Sequence, residues 1–256
     1  MGPTHRLTVT TDVTLKALDE EVLPQAQAID GRYTVDMSSL RFISAASAVN
    51  LLLFLQYLRQ KSGEPPRLIP PESPDVASLL GNIRFFVFAE NTCDIDKGYW
   101  LSKGLKFPAL SHADLTRRRI FQITRIQDCS EPGASYERLG VSTDSLMHKL
   151  AIMGGGRFGE LGVVYTELCK NIFEHSHSHG YVAALVLPSK VQYPCTFRIT
   201  VGDLGVGIFE SLSALYEHDP KQFSLRFGPV WDEPKATDIA FAAGTTSKVQ
   251  RQDIIG

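Results

Sequence analysis

Glu167, Asn171 and His175 stand four residues apart in a stretch that reads as helix, so their side chains share one face. An acid and an amide on one helix face can move a proton and hold a cation if that face looks into a cleft. The plainer alternative is a solvated polar face. A second cluster, Asp203, Gly205 and Gly207, follows directly on a strand-like run. Glycines there let backbone approach a flat ligand or take a positive φ. A carboxylate fixed beside such a turn can accept a hydrogen bond from an exocyclic amino group. The third cluster is Gly244, Thr245, Thr246, Ser247 and Lys248, with Arg251 beyond it. Small hydroxyl residues, a glycine and two cations suit a loop that contacts phosphate. Taken singly, the second cluster also reads as a strand-end turn and the third as a surface loop. His175, His177 and His179 open a zinc alternative, because histidines four apart on a helix can share a metal, but no third ligand stands at a typical spacing. The run Met147-His148-Lys149 lacks the acidic and proline surroundings of a phosphorylated histidine and reads as surface.

The elements that must position these groups can be read from periodicity. Residues 157–177 form the strongest helical stretch, with Leu161, Val164, Leu168 and Ile172 as its expected apolar stripe. Residues 181–187 and 196–201 read as strands joined by a loop short enough for an antiparallel hairpin. Helices are expected at 142–153, 209–216 and 234–243, with a glycine break at 154–156 and a turn-rich segment at 218–231. Before them, 119–126 recovers strand character after an aperiodic stretch from residue 90 to about 108. The first ninety residues read as short alternating pieces: strands at 6–10, 33–37 and 67–70, and helices at 14–25, 47–61 and 76–80. Pro24 is expected to stop the first helix, Ser62 and Gly63 the second and Gly81 the third, with Ser73 and Pro74 as an N-cap pair.

The chain has 256 residues, 43% hydrophobic and 21% charged, which fits a soluble α/β protein of two compact units. A formal net charge of −2 provides no general attraction to a phosphate backbone, so no nucleic-acid partner is expected. The most apolar uncharged stretch, 42–58, is interrupted by Ser44, Ser47, Asn50 and Gln56 and falls short of the ~20 apolar residues of a membrane span. The N-terminus shows no apolar leader, and Arg6 occupies the place where a myristoylation signal needs Ser or Thr. Cys93, Cys129, Cys169 and Cys195 are widely spaced, without a C-x-x-C pair, and read as reduced thiols. A cytoplasmic location without membrane attachment is the expectation.

In their order, the Glu-x-x-x-Asn helix, the hairpin, the D-x-G-x-G turn and the Gly-Thr-Thr-Ser-Lys loop resemble the GHKL (Bergerat-fold) ATP-binding superfamily over about 119–256. That superfamily includes histidine-kinase catalytic domains, anti-sigma-factor serine kinases, type II topoisomerases, mismatch-repair ATPases and heat-shock chaperones. The resemblance implies ATP and Mg²⁺ as ligands, with Asn171 on the metal through its side-chain oxygen. It implies that Asp203 binds the adenine amino group while Gly205 and Gly207 let the backbone close on the ring. Gly244, Thr245, Thr246 and Lys248 would belong to the ATP lid. Glu167 matches the position where an acid activates a water or an acceptor hydroxyl. Members continue past the lid into a G-x-G-L turn, a helix and closing strands, whereas this chain stops at Ile255 and Gly256. A C-terminally incomplete fold with an unpaired sheet edge and low stability is therefore expected.

Residues 33–47, Tyr-Thr-Val-Asp-Met-Ser-Ser-Leu-Arg-Phe-Ile-Ser-Ala-Ala-Ser, followed by a leucine-rich helix, resemble a STAS domain, the fold of anti-sigma-factor antagonists. In that family a serine at the helix start is phosphorylated by a partner GHKL kinase. The matching place here is Ala45 or Ala46, flanked by Ser44 and Ser47, so a binding or sensing module is implied. The expected organisation is a STAS-like α/β sandwich at 1–90, a linker at 91–118 and an α+β Bergerat-type sandwich at 119–256, a mixed sheet with helices on one face. The function implied is a Mg-ATP-binding signalling ATPase or protein kinase, with a regulatory protein partner and a homodimer as expected assemblies. The alternative is a non-catalytic, nucleotide-switched interaction protein acting through its STAS-like half.

Overall fold

A computed structural model describes residues 3–9, 12–13, 15–102, 104, 122–131, 134–135, 137–139, 159–187, 196–218, 220–228 and 231–241. The chain is a mixed α/β protein with a parallel sheet in its first half and an antiparallel sheet in its second. The parallel sheet takes the order β1 (Thr4–Thr8), β3 (Arg32–Asp36), β5 (Arg67–Ile69), β6 (Asp94–Ile95), and a small parallel pair joins β2 (Asp12–Val13) to β4 (Phe42–Ile43). The helix expected at 14–25 does not stop at Pro24. Short α1 (Leu15–Ala17) passes through a π-helical turn (Leu18–Val22) into α2 (Leu23–Ala28), which places Pro24 directly after the wider turn, where the regular ladder of hydrogen bonds is already interrupted.

Helix α3 (Ala45–Ser62) begins two residues before its expected start, because the Ser44 side chain accepts from the Ser47 N–H and caps it. It ends as expected at Gly63, whose φ of 70° lets its N–H reach the Arg59 carbonyl. Helix α4 (Pro74–Asn82) starts at the Ser73 cap but runs through Gly81 rather than ending there. Helix α5 (Phe85–Ala89) follows. The stretch read as the start of a linker instead carries β6 and α6 (Lys97–Ser102). Trp100 of α6 is buried, edge-on against Phe86, and donates Nε1–H to the Pro71 carbonyl.

The antiparallel sheet joins β7 (Thr124–Ile126), β8 (Gly180–Leu187) and β9 (Thr196–Asp203) in that order. Its hairpin matches the expected one, and its alternation assigns the faces. Val182 and Ala184 of β8 and Val201 and Ile199 of β9 pack with Ile126 against α7 (Gly159–His175), through Tyr165, Cys169, Ile172 and Phe173. Tyr181 and Ala183 point the other way, into the core that holds α3. A side chain on Gly202 would meet Leu53 and Val49 of α3. Helix α3 is buried on two flanks, with Val49, Leu53 and Gln56 on one and Ala48, Leu51 and Leu55 on the other. A helix with apolar residues on two flanks must be covered on both. It lies between the two sheets. The antiparallel sheet thus carries helices on both faces, its second cover coming from the first half of the chain.

The apolar stripe of α7 is rotated from the expected one. Ile172 is buried as expected, but Val164 and Leu168 are exposed, and Tyr165 and Cys169 take the inner face. Beyond β9 come α8 (Gly207–His218), α9 (Pro220–Phe227) and α10 (Glu233–Phe241). Helix α9 falls where turns were expected; Pro220 opens it, at a position that needs no N–H. Trp231 lies stacked between Phe209 and Tyr216, joining α8 to the start of α10. Among the described residues no helix is long and apolar enough to cross a membrane.

Candidate functional site

The best-built part of the candidate site is the junction between the end of α7 and the turn after β9. Gly180 stands opposite Asp203 in the β8–β9 ladder, and a Cβ on Gly180 would approach Ile172 Cδ1 of α7 to 2.7 Å and Asp203 Cβ to 3.1 Å. Asp203 therefore leaves the sheet on the α7 face. Its Oδ1 accepts from the Gly205 N–H at 2.7 Å, closing a tight side-chain-to-backbone turn. Oδ2 has no hydrogen-bond partner among the described residues.

Ser176, buried just past α7, ties the two elements together. Its carbonyl accepts from the Val206 N–H at 3.0 Å, and its hydroxyl donates to the Ile172 carbonyl at 2.9 Å. The Ser178 N–H returns to that hydroxyl at 3.1 Å. A Cβ on Gly205 would overlap the Ser176 backbone, so this glycine is required by close packing. Gly207 has a φ of 72° and opens α8, which is a second reason for glycine in the motif. Ser176, Ile172 and Gly180 are contributors that sequence reasoning missed. The short gap between Gly180 and the end of the helix was the signal available.

Glu167 and Asn171 lie on the exposed flank of α7, together with Val164 and Leu168. Their common face, expected from the spacing, is what a continuous helix at 159–175 provides. Asn171 stands five residues before Ser176, a rise of about 7.5 Å along the helix axis. Glu167 Oε1 pairs with Lys170 Nζ at 2.8 Å. No hydrogen bond among the described residues joins Asn171 to Asp203. The structure thus brings Asp203 and Gly205 onto the end of the helix that carries Asn171 and Glu167, and leaves those two side chains facing outward. Gly244, Thr245, Thr246, Ser247, Lys248 and Arg251 lie outside the described residues, as does the Met147-His148-Lys149 run.

The zinc alternative loses its geometry. Helix α7 ends at His175, and His177 takes a φ of 53°, so His175 and His179 do not share a helix face. His179 instead lies edge-on to Tyr181, its Nε2 3.3 Å from the hydroxyl. Burial and the neighbouring Arg125 lower its pKa, with Glu131 opposing, which keeps the imidazole neutral. No group of three metal-ligating side chains occurs among the described residues. At the start of α3, the hydroxyls beside Ala45 and Ala46 are engaged: Ser44 caps the helix and its Oγ lies 2.9 Å from that of Ser47, which is buried.

The chain matches no protein-family model, no curated protein and no solved structure.

Proposed function

We propose that the second half of the chain binds Mg-ATP in the manner of the GHKL superfamily and that the first half is a STAS-like binding module, the whole acting as a cytoplasmic signalling ATPase or protein kinase with a regulatory protein partner. The observation that carries the reading is the junction of Asp203 and Gly205 with the end of α7 at Ser176. It puts a carboxylate oxygen free to accept, Oδ2, at the foot of a helix whose outer face presents an amide and an acid.

The donor set fits the ligand. Asp203 Oδ2 would accept from the adenine amino group, and the Asn171 side-chain oxygen would serve a Mg²⁺ that prefers oxygen ligands and keeps several waters. Bound ATP supplies a transferable γ-phosphoryl group. Glu167 would take the proton from the attacking water or protein hydroxyl. A non-catalytic nucleotide switch is the second reading, favoured by one observation: Glu167 is 59% exposed and already paired with Lys170, an arrangement that does little to make it a base.

Calorimetric titration with Mg²⁺ and a non-hydrolysable ATP analogue tests the binding. Saturable binding lost in Asn171→Ala and Asp203→Ala supports it; binding unchanged in both variants refutes it. Glu167→Ala separates the two readings. It leaves binding intact in either, and abolishes turnover only if Glu167 is the base.

A further inference from the structure

A cavity of about 670 Å³ lies where α3, the end of α5 and the β7–β8 edge meet. Arg125 stands directly opposite Tyr181, so both side chains leave the sheet on the α3 face, and His179 joins them from two residues earlier. Gln56 and Arg59 share a face of α3 at a spacing of three. Phe88 closes the third side. Asp203 and α7 are across the sheet, so this cavity is separate from the candidate nucleotide site.

Its chemistry is selective. Arg125 is met by Glu131 at 2.6 Å, and His179 is held neutral. Arg59 donates to the Asn91 carbonyl and has no carboxylate partner among the described residues, which leaves one uncompensated positive charge. Gln56 is 7% exposed, and its Oε1 is buried without a hydrogen-bond partner among the described residues. A buried acceptor left open costs free energy until a donor reaches it. Phe88 and Tyr181, edge to face at 5.4 Å between centroids, offer an apolar wall for a flat ring.

We propose that this cavity binds a small planar organic monoanion, a carboxylate that also carries an N–H or O–H donor, with Arg59 on the carboxylate and Gln56 Oε1 accepting from the donor. The walls come from both halves of the chain, so the ligand bridges them.

The test is calorimetric titration of the full chain, without nucleotide, using para-hydroxybenzoate. Para-hydroxybenzamide serves as the uncharged control and phenyl phosphate as the dianionic one. Saturable one-to-one binding of para-hydroxybenzoate is expected, weakened by roughly tenfold or more for both controls and in Arg59→Gln. Gln56→Leu removes the open acceptor, so it should keep or raise the melting temperature while weakening binding by roughly tenfold. A merely structural glutamine would not combine those two effects. Four results would each overturn the proposal: no saturable binding of para-hydroxybenzoate, equal binding of the amide, tighter binding of phenyl phosphate, or undiminished binding in a folded Arg59→Gln protein.

Discussion

If α3 is the shared core of both sheets, cutting one of its side chains should weaken both halves together. Leu53 is the side chain to cut, because it packs onto β9 where Gly202 has no side chain of its own. Leu53→Ala cuts a nearly buried isobutyl side chain back to a methyl and leaves a void lined on one side by bare backbone, which has nothing to collapse into it. A loss of about 2–4 kcal/mol is expected. For a chain of this size each kcal/mol moves the melting temperature by roughly 2–4 °C, so a loss near 3 kcal/mol means about 6–12 °C. Gly202→Ala alone puts a methyl 2.8 Å from Leu53 Cδ1, and a cost of about 1 kcal/mol is expected from that crowding. In the double variant the new methyl enters the void, so the combined loss should fall short of the sum by at least ~0.5 kcal/mol. Denaturant unfolding is followed by Trp100 fluorescence in a Trp231→Phe background and by thiol labelling of Cys169, one probe in each core. The two midpoints should coincide and move together. Additive losses, or Cys169 becoming reactive while Trp100 keeps its midpoint, would refute the shared core.

Three further outcomes follow from single sites. Burial alone would raise the Asp36 pKa, but the Ser38 N–H and the Arg6 guanidinium outweigh it and hold the carboxyl below its ordinary value of about 3.9. The folded pKa lies below the unfolded one, so this stabilisation is present above the unfolded value and is lost as pH falls through the folded one. Stability measured between about pH 5 and pH 2 should fall less steeply in Arg6→Gln than in the parent. Burial, with Asp94 and Glu90 nearby, pushes the Cys93 thiol up to about 12, and burial pushes Cys169 up to about 11 against the opposing Tyr165 hydrogen bond. A thiol reagent at neutral pH should label exposed Cys129 in the folded protein and reach Cys93 and Cys169 only on unfolding, as peptide mass mapping will show. Gly207→Ala should cost about 1–2 kcal/mol for its left-handed backbone. Gly205→Ala should cost more, because its Cβ overlaps the Ser176 backbone; thermal melts that rank them the other way would refute the close-packing reason for Gly205.

Local chemistry made several elements legible in the sequence. The Gly63 stop of α3, the Ser73 and Pro74 start of α4 and the β8–β9 hairpin each depend on neighbouring residues alone. What was not legible depends on distant ones. The two-residue β6 exists because it pairs with Arg67 and Leu68, and no periodicity can announce a strand that short. The most apolar residues of α7 suggest one stripe, whereas the structure buries Tyr165 and leaves Val164 and Leu168 outside; a helix with apolar residues on two flanks does not say which flank its sheet will cover. A proline inside a helical run announces a stop, and the π-helical turn that carries the chain past Pro24 leaves no mark in composition. At the candidate site, the shared face of Glu167 and Asn171 and the strand-end position of Asp203 were legible from spacing. The tie through Ser176 was not, since it joins a helix end to a turn some thirty residues away.

The proposed nucleotide site depends on Asp203 reading the exocyclic amino group of an adenine. The most direct measurement is the affinity of the chain for Mg-ADP against Mg-IDP, since inosine replaces that amino donor with an oxygen acceptor and sets it against the carboxylate. If Asp203 holds that amino group, ADP should bind at least roughly tenfold more tightly than IDP, and Asp203→Asn should narrow or reverse the preference because an amide can donate to the inosine oxygen. Equal affinity for the two nucleotides, or a preference untouched in Asp203→Asn, would contradict it.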